Sequence, residues 1–181
     1  MIFTETRLEG ACTIDVEPHE DERGFFARVW DGDELAERGL DARVSQSSIA
    51  YNHVAGTLRG LHFQLPPFAE TKLVRCTRGA IWDVIVDLRP GSATFLEWTA
   101  VELTEENRRT LYVPEEFAHG YQTLANASEV WYQMSAPYAP DAARGLRWDD
   151  PRLAIDWPAV ERRVISERDA GWPDVDHALT A

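Results

Sequence analysis

Apolar and polar positions alternate most clearly in the middle of the chain. In Ala80-Ile-Trp-Asp-Val-Ile-Val-Asp-Leu88, residues Ile81, Asp83, Ile85 and Asp87 fall on one side of an extended segment. Trp82, Val84, Val86 and Leu88 fall on the other. The run is rich in β-branched and aromatic side chains, which predicts a strand. Lys72–Arg78 precedes it across Gly79, and Arg89-Pro-Gly-Ser92 closes it as a turn. Further strands are predicted over Phe95–Leu103, Thr110–Val113, Gly120–Leu124 and Glu129–Ser135. In the last of these, alternation puts Val130, Tyr132 and Met134 on one face. Short strands recurring every roughly 8–12 residues predict an all-β sandwich or barrel. Helical signals are few. Asp31-Gly-Asp-Glu-Leu-Ala-Glu-Arg-Gly39 reads as one short helix, with acids in its first turn and Gly39 as its stop. The charged tail after Trp157-Pro158 is expected outside the main barrel. Its Ser166-Glu-Arg-Asp169 fits a turn or a short helix equally, and the end from about residue 170 is expected to be mobile.

The length of 181 residues fits a single domain, 1–181, and no repeat or linker interrupts it. The formal charge of −13 argues against nucleic acid and anionic membranes as partners. No apolar run is long enough for a membrane span, and the acidic first 15 residues do not read as a signal peptide. Two cysteines, Cys12 and Cys76, give neither a disulfide framework nor a metal cluster. A reduced, cytoplasmic protein is the expectation. One residue stands out of the composition: of 18 basic side chains, the only lysine is Lys72. A bias towards arginine explains the others and leaves this one unexplained.

Three chemistries can be weighed. A metal-binding cupin-type barrel needs two histidines one residue apart, but His62 is followed by Phe63 and Gln64. Pro114-Glu-Glu-Phe-Ala-His119 resembles the second half of such a motif, and half a motif cannot supply a ligand set, so no metal is expected. A nucleophile elbow, Gly-x-Ser-x-Gly, is absent. Proton transfer at carbon needs a base, an acid on the opposite face and a cation for an enolate. His62, Tyr132 and Lys72 suit these roles, while Arg59 and Arg23 suit bidentate contacts with phosphate. Each has a plainer reading. His62 fits a structural histidine, Tyr132 a core residue, Lys72 a solvated strand end and the arginines surface ion pairs. Asp83 fits a buried, paired carboxylate. Residue by residue, both readings stay open.

The order of the motifs resembles the sugar-nucleotide 3,5-epimerase family, whose best-known member acts on dTDP-4-dehydro-6-deoxyglucose. The segments that carry it include Asp21-Glu-Arg-Gly-Phe-Phe26, Arg59-Gly-Leu-His-Phe-Gln64 and Lys72–Arg89. Tyr112–Tyr121, Tyr132–Tyr138, Arg144–Pro151 and Ile155-Asp-Trp-Pro158 complete them. The resemblance implies a cupin-like β-barrel (a jelly roll) with a few short peripheral helices, a homodimer, and no metal or organic cofactor. It implies a nucleotide-sugar substrate with His62 as base, oriented by Asp169, Tyr132 as acid and Lys72 against the enolate oxygen. It places Arg23, Arg59, Gln46, His119, Asp83, Tyr138 and Phe26 against substrate. The sequence departs from the common pattern at Arg28, at Gln46-Ser-Ser48, at Ala143 and at Arg168, where Lys is common. The catalytic set is intact and the recognition set is altered. A CDP-linked substrate and inversion at a single carbon therefore remain alternatives, as does a non-catalytic sugar-nucleotide-binding barrel.

Overall fold

A computed structural model describes residues 1–179. In chain order the elements are β1 (Ile2–Glu5), β2 (Cys12–Asp15), β3 (His19–Asp21), β4 (Gly24–Phe26), α1 (Gly32–Glu37), β5 (Gln46–Asn52) and β6 (Leu58–Gln64). Then follow β7 (Lys72–Arg78), β8 (Ala80–Asp87), β9 (Trp98–Thr104), β10 (Thr110–Val113), β11 (Phe117–Thr123), β12 (Ser128–Met134) and β13 (Ala143–Gly145). The tail adds α2 (Glu167–Ala170) and α3 (Val175–Ala178). The strands build a six-stranded sheet, β1-β2-β10-β7-β12-β5, and a five-stranded sheet, β13-β6-β11-β8-β9. β3 and β4 pair as a separate hairpin. The all-β architecture with short outlying helices agrees with the expected class.

The alternation in β8 explains how the layers stack. Ile81 and Ile85 face inward and join Val74, Leu111, Val113 and Val130 of the opposite sheet in one core. Val84 and Val86 face outward, yet they are equally buried, because the tail covers them with Leu146, Leu153, Val175 and Ala178. Burial of this kind stabilises by roughly 25 cal/mol per Å² of apolar surface removed from water. β8 is thus buried on both faces, which is why it is a nearly continuous apolar run.

α1 forms where the acids and Gly39 place it. Asp31 caps it by accepting from the Asp33 and Glu34 amides, and Leu35 anchors it against Cys12, Ile14, Leu73 and Tyr112. The ambiguous Ser166–Asp169 segment is the start of α2, with Ser166 as its cap. The stretch expected to be mobile from about residue 170 carries α3, whose Val175 and Ala178 are buried in the second core. Its last two residues lie outside the described residues. Among the described residues, no helix is long and apolar enough to cross a membrane.

Candidate active site

A cleft of about 460 Å³ opens between the two sheets, and residues of both walls reach into it. The wall from the five-stranded sheet is built on β6 and β11, where His62 and His119 stand opposite each other in register. That register shifts just after His119, and two glycines make the shift fit. Gly60 adopts φ +111°, and a Cβ there would lie 2.6 Å from the Gly120 Cα. Only glycine is compatible with both the left-handed backbone and that approach.

His62 Nε2 lies 2.7 Å from Asp169 Oδ1, which α2 brings in from the tail. Asp169 also accepts from the Gly60 amide at 3.2 Å and from the Trp172 indole at 3.3 Å. Burial pushes the Asp169 carboxyl up, but the His62 hydrogen bond and charge, with the Gly60 and Trp172 donors, outweigh it and hold the group below its usual range. An ionised carboxylate only accepts, so it fixes the proton of a neutral His62 on Nε2. Nδ1 is then the ring nitrogen without a proton. Trp172 sits over Gly145, where a Cβ would be 2.4 Å from its ring.

The opposite wall supplies Lys72 from β7 and Tyr132 from β12. The Lys72 ammonium lies 3.2 Å from Glu70 Oε1 and donates to the His62 carbonyl at 3.3 Å. Tyr132 packs its ring against the inner core and turns into the cleft, as the Val130–Met134 alternation predicts. Base and acid candidates therefore stand on opposing sheets. Tyr121 also borders the cleft, but burial pushes its phenol up to about 12, and Asn52 holds its hydroxyl. The thiols of Cys12 and Cys76 are buried and pushed up to about 11, which suits neither to nucleophilic work. Among the described residues no three His, Cys, Asp or Glu side chains are grouped to hold a metal.

Residues 5–177 match the sequence profile of the dTDP-4-dehydrorhamnose 3,5-epimerase family. The chain belongs to that family. It is 44% identical to the dTDP-4-dehydrorhamnose 3,5-epimerase of Methanothermobacter thermautotrophicus over 94% of this chain and 92% of that one. A crystal structure of the Bacillus anthracis epimerase with TDP and PPi bound superposes with a TM-score of 0.92 at 39% identity, over 96% of this chain and 99% of that one. A 3'-monoepimerase from Streptomyces bikiniensis in complex with dTDP-quinovose superposes with a TM-score of 0.89 at 31% identity, over 97% and 88%. These likenesses assign the two sheets to the cupin-like jelly roll of this epimerase family.

Within that family frame, the remaining expected residues divide. Arg59 reaches the cleft, its Nε donating to Asn52 Oδ1 at 2.9 Å. Gln46 and Tyr138 meet at the mouth, where the Tyr138 amide donates to Gln46 Oε1 at 2.9 Å. His119 lines the cleft, with Nε2 2.7 Å from Asp83 Oδ1. Asp83 itself, expected to line the site, is fully buried behind His119 and does not reach the cavity, because its strand turns it into the barrel interior. Arg23 and Phe26 are not at this cleft either. They sit on the β3–β4 hairpin, Arg23 paired with Asp21 and Phe26 68% exposed. Of the departures, Ser48, Ala143 and Arg168 line the cleft, whereas Arg28 pairs with Asp31 outside it. The sequence reading missed Glu70, Gln64, Arg144 and Trp172. The first three line the cleft and the last backs Asp169. Only Glu70 carried a signal, as a carboxylate two residues before the lone lysine.

Proposed function

We propose that this chain is a cofactor-independent 3,5-epimerase that converts dTDP-4-dehydro-6-deoxyglucose to dTDP-4-dehydrorhamnose. The observation that carries this reading is the placement of His62 and Tyr132 on opposite sheets of one cleft, with Lys72 beside them. A ketone at C4 acidifies the hydrogens on C3 and C5. His62 Nδ1 removes one of them, and the C–H electrons pass into the carbonyl to give an enolate. The Lys72 ammonium stabilises the developing charge on the C4 oxygen, in a cleft where such donors act strongly. The Tyr132 hydroxyl returns a proton to the opposite face and inverts the carbon. His62 then loses its proton to solvent, and Tyr132 regains one. The ketone is its own electron sink, so no organic cofactor or metal is required.

Arg59 holds the diphosphate, which matches its planar fork. Gln46, His119 and Tyr138 hold the rest of the substrate, and Asp83 acts on His119 from behind. The active form is a homodimer in the cytoplasm. The exposed β3–β4 hairpin, with Phe25 46% and Phe26 68% exposed, supports this, since a second copy can bring Arg23 and Phe26 to the cleft. Likeness to a 3'-monoepimerase favours a second reading, inversion at C3 alone, on the same two walls. Product configuration by NMR, with dTDP- and CDP-linked 4-keto-6-deoxyglucose offered separately, tests both. The dTDP-4-dehydrorhamnose configuration is expected. A product inverted at one carbon replaces it with the second reading, and turnover of the CDP-linked sugar alone changes the nucleotide.

A further inference from the structure

We infer that Glu70 is the positioning residue that orients the Lys72 ammonium towards the substrate. The inference rests on the epimerase reading above. An ammonium has three protons. In this cleft the ammonium is ion-paired with Glu70 Oε1 at 3.2 Å and donates to the His62 carbonyl at 3.3 Å, and two such anchors on one side leave a proton for the C4 oxygen. Lysine has a flexible stem and a point charge, so its direction must come from such partners. Both side chains are nearly buried, Lys72 at 10% and Glu70 at 11% exposure, so solvent screens the pair little.

Glu70 is itself held. Its Oε2 accepts from Gln64 Nε2 at 2.6 Å. The Gln64 amide cannot turn over, because its Oε1 accepts from the Ala139 amide at 2.7 Å and its Nε2 also donates to the Phe68 carbonyl at 2.9 Å. Glu70 therefore faces a donor on each oxygen. A carboxylate accepts on both, whereas a carboxamide offers one acceptor and one donor. Glutamine at this position satisfies Lys72 or Gln64 and sets a donor against the other. The site is chemically specific for Glu. Loss of this orientation weakens the contact that strengthens as the oxyanion forms and leaves binding of the neutral ketone almost unchanged.

The test compares Glu70→Gln and Glu70→Ala with the wild type on dTDP-4-keto-6-deoxyglucose, with folding checked by circular dichroism. Both variants are expected to lower kcat, Glu70→Ala by about 10- to 100-fold and Glu70→Gln by less, with KM changed under about threefold. In a Lys72→Ala background, Glu70→Gln is expected to add under about twofold, since the group it positions is gone. Near-wild-type kcat in both single variants overturns the inference, as does a full additional loss in the Lys72→Ala background. A fall in dTDP affinity that matches the loss of kcat also overturns it. A wild type that exchanges no proton at C3 or C5 overturns the functional reading, and the inference falls with it. An active wild type with unaffected variants overturns the inference alone.

Discussion

The same chemical pair occurs twice beside the cleft, in two different settings. In both, a histidine Nε2 lies 2.7 Å from a carboxylate oxygen. The His62 side chain is 44% exposed, and the His119 side chain is 12% exposed. Asp169 has donors on both oxygens, from His62, Gly60 and Trp172. Asp83 is fully buried, and its Oδ2 has no hydrogen-bond partner. The first carboxylate is stabilised as an anion and fixes a histidine with open access. The second fixes a histidine that is itself packed into the wall. A hydrogen-bonded His–Asp pair is therefore not enough to name a base. Access to substrate and a fully satisfied carboxylate separate the two.

The comparison can be broken in order of expected effect. His62→Asn removes the proposed base and is expected to lower kcat by about 10²- to 10⁴-fold, while His119→Asn is expected to cost about tenfold, mainly in KM. Lys72→Ala removes the proposed oxyanion donor and is expected to cost about 100- to 1000-fold in kcat. A loss under about threefold would take Lys72 out of the mechanism. The two carboxylates should then separate. Asp169→Asn misdirects the His62 proton and costs about 100-fold or more, whereas Asp83→Asn, which does not meet the cleft, costs under about tenfold. Gly145→Ala reaches the pair from behind. Its Cβ lies 2.4 Å from the Trp172 ring, so the indole must leave Asp169, and a stability loss of about 1–3 kcal/mol by urea unfolding is expected.

The smallest effect is on pH dependence. The folded Asp169 carboxyl is held below its unfolded value, near 3.9, so the unfolded chain binds more protons through that range. Its stabilisation is complete above the unfolded value and is lost as pH falls towards the folded one. Urea midpoints measured from pH 6 down to pH 3 should fall less steeply in Asp169→Asn than in the wild type.

Legibility followed the physics of each segment. β7, β10 and β12 match the sequence pattern within a residue, because core residues Val74 and Cys76, Leu111 and Val113, and Val130 with Tyr132 recur at every second position. β8 ended one residue earlier than its pattern, at Asp87. β5 was invisible, since its inward positions Gln46, Ser48 and Ala50 face the cleft and carry no hydrophobic period. β6 was hidden by Gly60, where the register shift breaks the alternation. The three catalytic candidates followed from chemical type. The pairing of His62 with Asp169 spans 107 residues, beyond any local pattern, and came from the resemblance alone. Trp172 and Gln64 act through contacts that only the closed barrel creates.

The most direct test asks which histidine moves the proton. Wild type, His62→Asn and His119→Asn are each incubated with dTDP-4-keto-6-deoxyglucose in D₂O, and the C3 and C5 signals are followed by NMR. Deuterium is expected at both carbons with the wild type and His119→Asn, and at neither with His62→Asn. Exchange that survives in His62→Asn and vanishes in His119→Asn would contradict the account.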